Sequence, residues 1–388
     1  MDLYIGKVSP LALIIICMAV AFVMTLAVIL VVRHRRAQRL RSASFYVEAL
    51  REMIRGDEES AFRYLKRVVK EDTGNIDAYL MLGDILRRRG DLAAALQIHR
   101  HLTVRMDLNP QVKKELFKSL AMDYIESEKD ERAITILQEL ISEDRKNLWA
   151  HQQLLNLYEK QGLWSQALSA QETIFRITGQ KDDALLALYE VQIGHQWAAQ
   201  EEFHKARLKY KDALRRNRTC VPAYLALGDA YQRENHLDEA IDSWKELLIR
   251  VPQKAYFAFG RLEKALYEKG QFGEMARLYR DLLERDPNNL RAFWALATIY
   301  DKKGALDEAI RACERALQVE PSSTIARQFL VKFYQQKGNQ QKVMENLEAL
   351  VNSATATTGL FACQNCGYES TAPLWRCPEC DQWRSFNL

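Results

Sequence analysis

Only 8 prolines and 16 glycines punctuate the 388 residues. An all-β chain would need more turn material, so the body is expected to be helical, in keeping with its abundant Ala, Leu, Glu, Arg and Lys. An excess of one charge is also lacking. The formal charge is +4, and the arginines at 33, 35, 36, 39 and 41 more than account for it, leaving the remainder at −1. That balance does not describe a general polyanion binder, and no nucleic-acid partner is expected. Catalytic signatures are missing too: there is no H-E-x-x-H, no Walker-type phosphate loop, no G-x-S-x-G and no G-x-G-x-x-G. His99 and His101 stand two apart, so on a helix they point to different faces and cannot chelate as an i, i+4 pair would. The chain is read as a non-enzyme. Wholesale disorder is excluded, because 48% of the residues are hydrophobic and can bury a large core.

Seven cysteines, an odd number, argue against a secreted disulfide framework, and four of them crowd into the last 26 residues. Cys17, Cys220 and Cys313 stand alone and are expected to be small buried hydrophobes.

From Pro10 to Val32 the sequence runs 23 residues without a charge, which as a helix spans about 35 Å and crosses a bilayer. A cleaved secretory signal fits poorly, because the basic cluster follows the apolar run instead of preceding it. By the positive-inside rule, Arg33 to Arg41 put the C-terminal side in the cytoplasm and residues 1–9 outside. The same cluster, residues 33–43, would attract anionic lipid with no further role implied.

Self-similarity governs residues 44–352. A small or apolar anchor recurs at Ala61, Ala95, Ala133, Ala167, Ala206, Ala240, Met275, Ala309 and Val343, at spacings of 34 to 39 residues. This is the tetratricopeptide period, and it predicts about nine helical hairpins stacked as a solenoid. Five residues before the anchor stands a turn position, held by Gly56, Gly90, Gly162, Gly270, Gly304 and Gly338, where a helix has to end with positive φ. Nine before it come large residues such as Tyr124, Tyr158, Trp197, Tyr231, Tyr300 and Tyr334, expected to fill the space between paired helices. Spacings of 38 and 39 imply insertions near 107–114 and 179–185, with a change of superhelical pitch expected there. Nearly all these aromatics belong to repeat core, and the open concave face of such a solenoid suits protein segments better than small molecules.

Residues 353–388 contain Cys363-x2-Cys366-x10-Cys377-x2-Cys380. Two such knuckles predict one ion held by four thiolates in a small rubredoxin-like domain. Gly367 lets the first knuckle curl; Asp381 occupies the corresponding place in the second and tolerates the left-handed conformation better than most residues. So short a segment cannot build its own core, and Phe361, Tyr368, Trp375 and Trp383 are its expected packing surface. Four thiolates accept Zn or Fe, so ligand identity does not choose the metal. A structural site at the end of the solenoid, an iron electron carrier and a nucleic-acid ribbon all remain open, the last least favoured because only Arg376 and Arg384 are basic.

The order of parts, together with KEDTGNIDAYLMLGDILRRRGD at 70–91 and the ending CQNCGYESTAPLWRCPECDQW, resembles the lipopolysaccharide assembly protein B family (LapB, also YciM) over essentially the whole chain. The resemblance implies an all-α repeat protein anchored by one helix in the bacterial inner membrane, its repeats and metal domain cytoplasmic. It implies a regulator of lipopolysaccharide synthesis that works with the membrane protease FtsH to promote degradation of the LpxC deacetylase, restrained by a membrane partner of the YejM (PbgA) type. Cys363, Cys366, Cys377 and Cys380 match that family's metal ligands. A general scaffold for envelope-assembly proteins is the alternative, and a redox protein is a more distant third.

Overall fold

The computed structural model describes residues 10–104, 109–271, 273–352 and 361–386, with the backbone alone at 10–17, 19–20, 35 and 352. The expected external N-terminus, residues 1–9, lies outside the described residues. The chain divides into two compact units between Leu157 and Tyr158. The first holds α1 (Pro10–Arg55), α2 (Glu58–Glu71), α3 (Ile76–Arg88), α4 (Leu92–Thr103), α5 (Pro110–Glu126), α6 (Asp130–Glu143) and most of α7 (Leu148–Lys160). The second continues with α8 (Trp164–Thr178), α9 (Asp183–Ala199), α10 (Phe203–Arg216), α11 (Val221–Arg233) and α12 (Leu237–Arg250). A 3-10 turn (Pro252–Ala258) leads into α13 (Phe259–Glu268), followed by α14 (Glu274–Arg285), α15 (Leu290–Lys302), α16 (Leu306–Val319), α17 (Thr324–Gln336) and α18 (Gln340–Asn352). A two-stranded sheet of β1 (Phe361–Ala362) and β2 (Glu369–Ser370) closes the order.

Paired in sequence, the helices are the expected hairpins, and one turn chemistry explains why. All nine turn positions have positive φ: the six glycines above, and also Glu128, Glu201 and Asn235 at 55°, 60° and 60°. At each, two backbone bonds close the first helix. In the fifth hairpin these are Glu201 N–H to Ala198 O at 3.0 Å and Glu202 N–H to Trp197 O at 3.0 Å. This is a Schellman closure, which satisfies carbonyls that the helix end would leave orphaned. Its carbonyl at the far end belongs to the recurrent aromatic position, Tyr124, Tyr158, Trp197, Tyr231, Tyr300 or Tyr334. The aromatic therefore sits where the closed turn presses it against the second helix. At the opposite end, Asn75, Asn109, Asp182, Asn289 and Ser323 accept a hydrogen bond from an amide two or three residues on and so start first helices.

Eight of the nine anchors are buried, and the ninth, Val343, is half-buried in the last hairpin. Small residues also permit close crossings. A β-carbon on Gly228 would lie 2.2 Å from Trp244 Nε1, and one on Gly83 would lie 2.3 Å from His99 Nε2. His99 is a core residue of the first unit: its Nδ1 is 2.6 Å from Asp123 Oδ2, its Nε2 is 3.2 Å from Leu80 O, and Arg87 donates to Asp123 at 3.1 Å. His101 is exposed, as the two-residue offset requires.

The insertions are taken up within helices. The first helices α5 and α9 each have 17 residues where α3, α7, α11, α15 and α17 have 13, so the extra residues lengthen a helix by one turn. In the first unit, α1 runs unbroken through 46 residues, from the apolar run into the first hairpin, where Ser42 and Ala49 are buried. Every side chain from Ala21 to Val32 is exposed. Among the described residues, no helix is long and apolar enough to cross a membrane.

Replacing Glu201 by Gly removes a side chain from a left-handed position and should stabilise the second unit by about 0.5–1 kcal/mol. Gly228→Ala forces a clash with Trp244 and should cost about 1–3 kcal/mol. Urea unfolding of the two variants against the parent measures both.

Candidate metal centre and its seat on the repeats

The four predicted cysteines converge. All four Sγ atoms lie within 4.8 Å of one another, with Cys363 to Cys380 at 3.7 Å and Cys366 to Cys377 at 3.6 Å. No pair is a disulfide. A tetrahedral ion with metal–sulfur bonds of about 2.3 Å needs sulfurs about 3.8 Å apart, so the donor set fits such an ion.

The convergence follows from two matching knuckles. Gly367 N–H donates to Cys363 O at 2.9 Å, and Asp381 N–H to Cys377 O at 3.1 Å. Cys363 N–H returns to Tyr368 O at 2.8 Å, and Cys377 N–H to Gln382 O at 2.9 Å. Gly367 has φ 77° and Asp381 φ 57°, so Asp381 takes the left-handed conformation expected of it. Its carboxylate pairs with Arg376 at 2.8 Å, an interaction that glycine would forgo.

Three of these thiols are pulled in different directions. Cys363 is pulled down to about 6, first by the Ser385 hydroxyl and then, against burial, by the amides of Cys366 and Asn365. Cys380 is lowered by the Asn365 side chain and the Gln382 amide. At Cys366 the Tyr368 amide works downward, but burial and hydrogen bonding to the other three thiols leave it raised, to about 12. A metal is held by thiolates, so loading such a site with a cation releases protons.

The module packs against the second unit at 159–261, well before that unit's last hairpins. Trp383 lies against Tyr189, with centroids 5.1 Å apart, and against Trp164 at 6.1 Å, while its Nε1 donates to Glu159 at 3.2 Å. Arg376 reaches the other Glu159 oxygen at 3.2 Å and stacks on Trp164 at 5.5 Å. Tyr189 also donates to Glu159, whose side chain is only 12% exposed. Burial, and then that carboxylate, push the Tyr189 hydroxyl far above the ordinary phenol range, so it remains a donor. Arg384 pairs with Asp182 at 2.6 Å. Burial opposes ionisation of Asp182, but the Leu185 amide and Arg384 outweigh it and hold the carboxyl below its usual range. A depressed carboxyl stabilises above its unfolded value of about 3.9, and the contribution is lost as pH falls through the folded value. On the other side, Trp375 and Phe361 meet Phe257, in the 3-10 turn, at 6.0 and 6.4 Å.

Three of the four expected packing residues therefore face the repeats. Tyr368 instead packs within the module, edge-on to Phe386 at 6.5 Å. Sequence reasoning missed Glu159, Trp164, Asp182, Tyr189 and Phe257. One signal was available, since the 39-residue spacing marks the extra turn that Asp182 caps. Both basic groups of the module, Arg376 and Arg384, pair with carboxylates. Cys366 is exposed, so one edge of the site is open. Cys220 and Cys313 are buried and their thiols raised by burial, as fillers would be.

Fold and site together define a tetratricopeptide protein that carries a four-thiolate metal module. Residues 361–387 match the model for a rubredoxin metal binding domain, and 198–255 and 262–323 match a tetratricopeptide repeat. Lipopolysaccharide assembly protein B of Escherichia coli (strain K12) is 21% identical over 354 residues, covering 90% of each chain. Its namesake in Haemophilus influenzae is 26% identical over 319 residues, covering 81% of this chain and 80% of that one. The expected resemblance to lipopolysaccharide assembly protein B is borne out along nine-tenths of the chain. Among solved structures, the MamA protein aligns with 43% of this chain and 91% of its own, at 21% identity and a TM-score of 0.31.

One metal ion per chain is expected by elemental analysis, falling to near zero in Cys377→Ser and unchanged in Cys220→Ser. Asp182→Asn should cost about 0.2–1 kcal/mol in thermal unfolding, because both partners of that ion pair are partly exposed.

Proposed function

We propose that this chain is a membrane-anchored adaptor in lipopolysaccharide assembly, and that it regulates synthesis by promoting FtsH-dependent degradation of the LpxC deacetylase. The observation that carries the reading is collinearity: the likeness to lipopolysaccharide assembly protein B extends over 90% of both chains, and the four-thiolate module sits at the end of this one. Repeats by themselves would be weak support, because many unrelated proteins carry them.

The anchor in this proposal is Pro10 to Val32, with the repeats and metal module on the cytoplasmic side. In support, the run is uncharged, its side chains from Ala21 onward are exposed, and the basic cluster follows it directly. Because α1 continues unbroken into the first hairpin, an anchored helix would hold that hairpin close to the membrane, within reach of a membrane protease. Confinement of that kind raises effective concentration, so modest affinities for protease, client and a YejM-type restraining protein suffice. The role asks for binding surfaces and no reaction chemistry. The metal, Zn or Fe, is then structural.

Removal of the protein should lengthen the half-life of LpxC after translation is blocked, and a chain lacking residues 1–32 should fold without restoring the short half-life. An unchanged half-life would contradict the proteolytic role, and full restoration by the truncated chain would contradict the anchor's part in it.

A further inference from the structure

We propose that the face around Glu159, Asp182, Trp164 and Tyr189 is a recognition site for a polypeptide segment bearing a tryptophan followed by an arginine, which the metal-shaped module occupies in cis as a latch. This goes beyond the adaptor reading, since it concerns what holds a binding face closed within the chain itself.

Consider what each side of the contact supplies. The repeats offer an aromatic slot, Trp164 and Tyr189, rimmed by two carboxylates, Glu159 and Asp182. The occupant is the consecutive pair Trp383 and Arg384: the indole fills the slot and donates to Glu159, and the guanidinium pairs with Asp182. Arg376, paired with Trp383 in an isolated antiparallel bridge, adds a second cation. An indole with one polar tip beside a guanidinium is the chemistry that anchors protein–protein contacts, and the opposed charges set its direction. The repeats contribute the complementary half wholly from their own helices, so they retain it whichever chain supplies the Trp-Arg pair.

The latch follows from where the presenting residues sit. Arg376 precedes Cys377, and Trp383 and Arg384 follow Cys380, so the second knuckle sets their relative positions. A module of this size has its shape from the ion, so loss of the ion removes the presentation while the helices beneath, closed by their own turns, persist.

The test uses the full chain, loaded and then stripped with a high-affinity chelator, and the labelled hexapeptide DQWRSF, whose sequence is that of residues 381–386. Stripping is expected to raise amide exchange across 158–199 roughly tenfold while leaving 290–336 unchanged. The hexapeptide should bind the stripped chain roughly tenfold more tightly than the loaded one, and should lose that binding when its tryptophan is replaced by alanine or when the chain carries Glu159→Ala. Where the chelator leaves metal behind, the Cys377→Ser, Cys380→Ser chain takes its place. Unchanged exchange at 158–199 would overturn the latch, as would a rise that spreads to 290–336 and makes the ion a general stabiliser. Equal binding to loaded and stripped chains, or indifference to the tryptophan or to Glu159, would overturn the recognition site.

Discussion

Glu159 is a carboxylate at the end of a repeat helix, almost out of water, and it receives Tyr189, Trp383 and Arg376. A buried carboxylate is tolerable only with such donors; removing one leaves charge that the surroundings no longer compensate. Two of the three donors come from a module more than 200 residues further along the chain. The position of that module and the cover it gives the repeats rest on this contact.

Two departures from repeat regularity in the second unit lie where the module docks. In this unit α11, α15 and α17 have 13 residues, but α9, like α5 of the first unit, has an extra turn, and the residue that caps it, Asp182, holds Arg384. The first helix of the seventh hairpin begins as a 3-10 turn, and Phe257 from it meets Trp375 and Phe361. A regular solenoid has one sequence solution per repeat. Deviations at the two places where another element docks are what accommodation of a docked element would produce.

Much of this was legible in the sequence, for physical reasons. The turn position could be read because a left-handed residue is so restricted that glycine marks it, and it was hidden only where Glu128, Glu201 and Asn235 accept the strain. The four metal ligands could be read because a tight knuckle fixes their spacing. Asp381 was legible as the left-handed member of its knuckle, although its ion pair with Arg376 was not. The docking surface was not legible. Glu159 and Trp164 lie beside an ordinary repeat turn, and nothing in their local pattern separates a carboxylate that meets a distant indole from one that meets water. Tyr368 resembled its aromatic neighbours in composition and differs in direction, and it lies just before β2, where no strand or helix period says which way a side chain faces.

The account turns on whether the module is coupled to the repeats through Glu159. A double-mutant cycle on the metal-loaded full chain, with Glu159→Ala, Trp383→Phe and the pair, measures that directly by urea unfolding. The account predicts an interaction energy of about 1–3 kcal/mol between the two positions. Additive effects, with no interaction energy, would mean that the module sits near the repeats without being held by them.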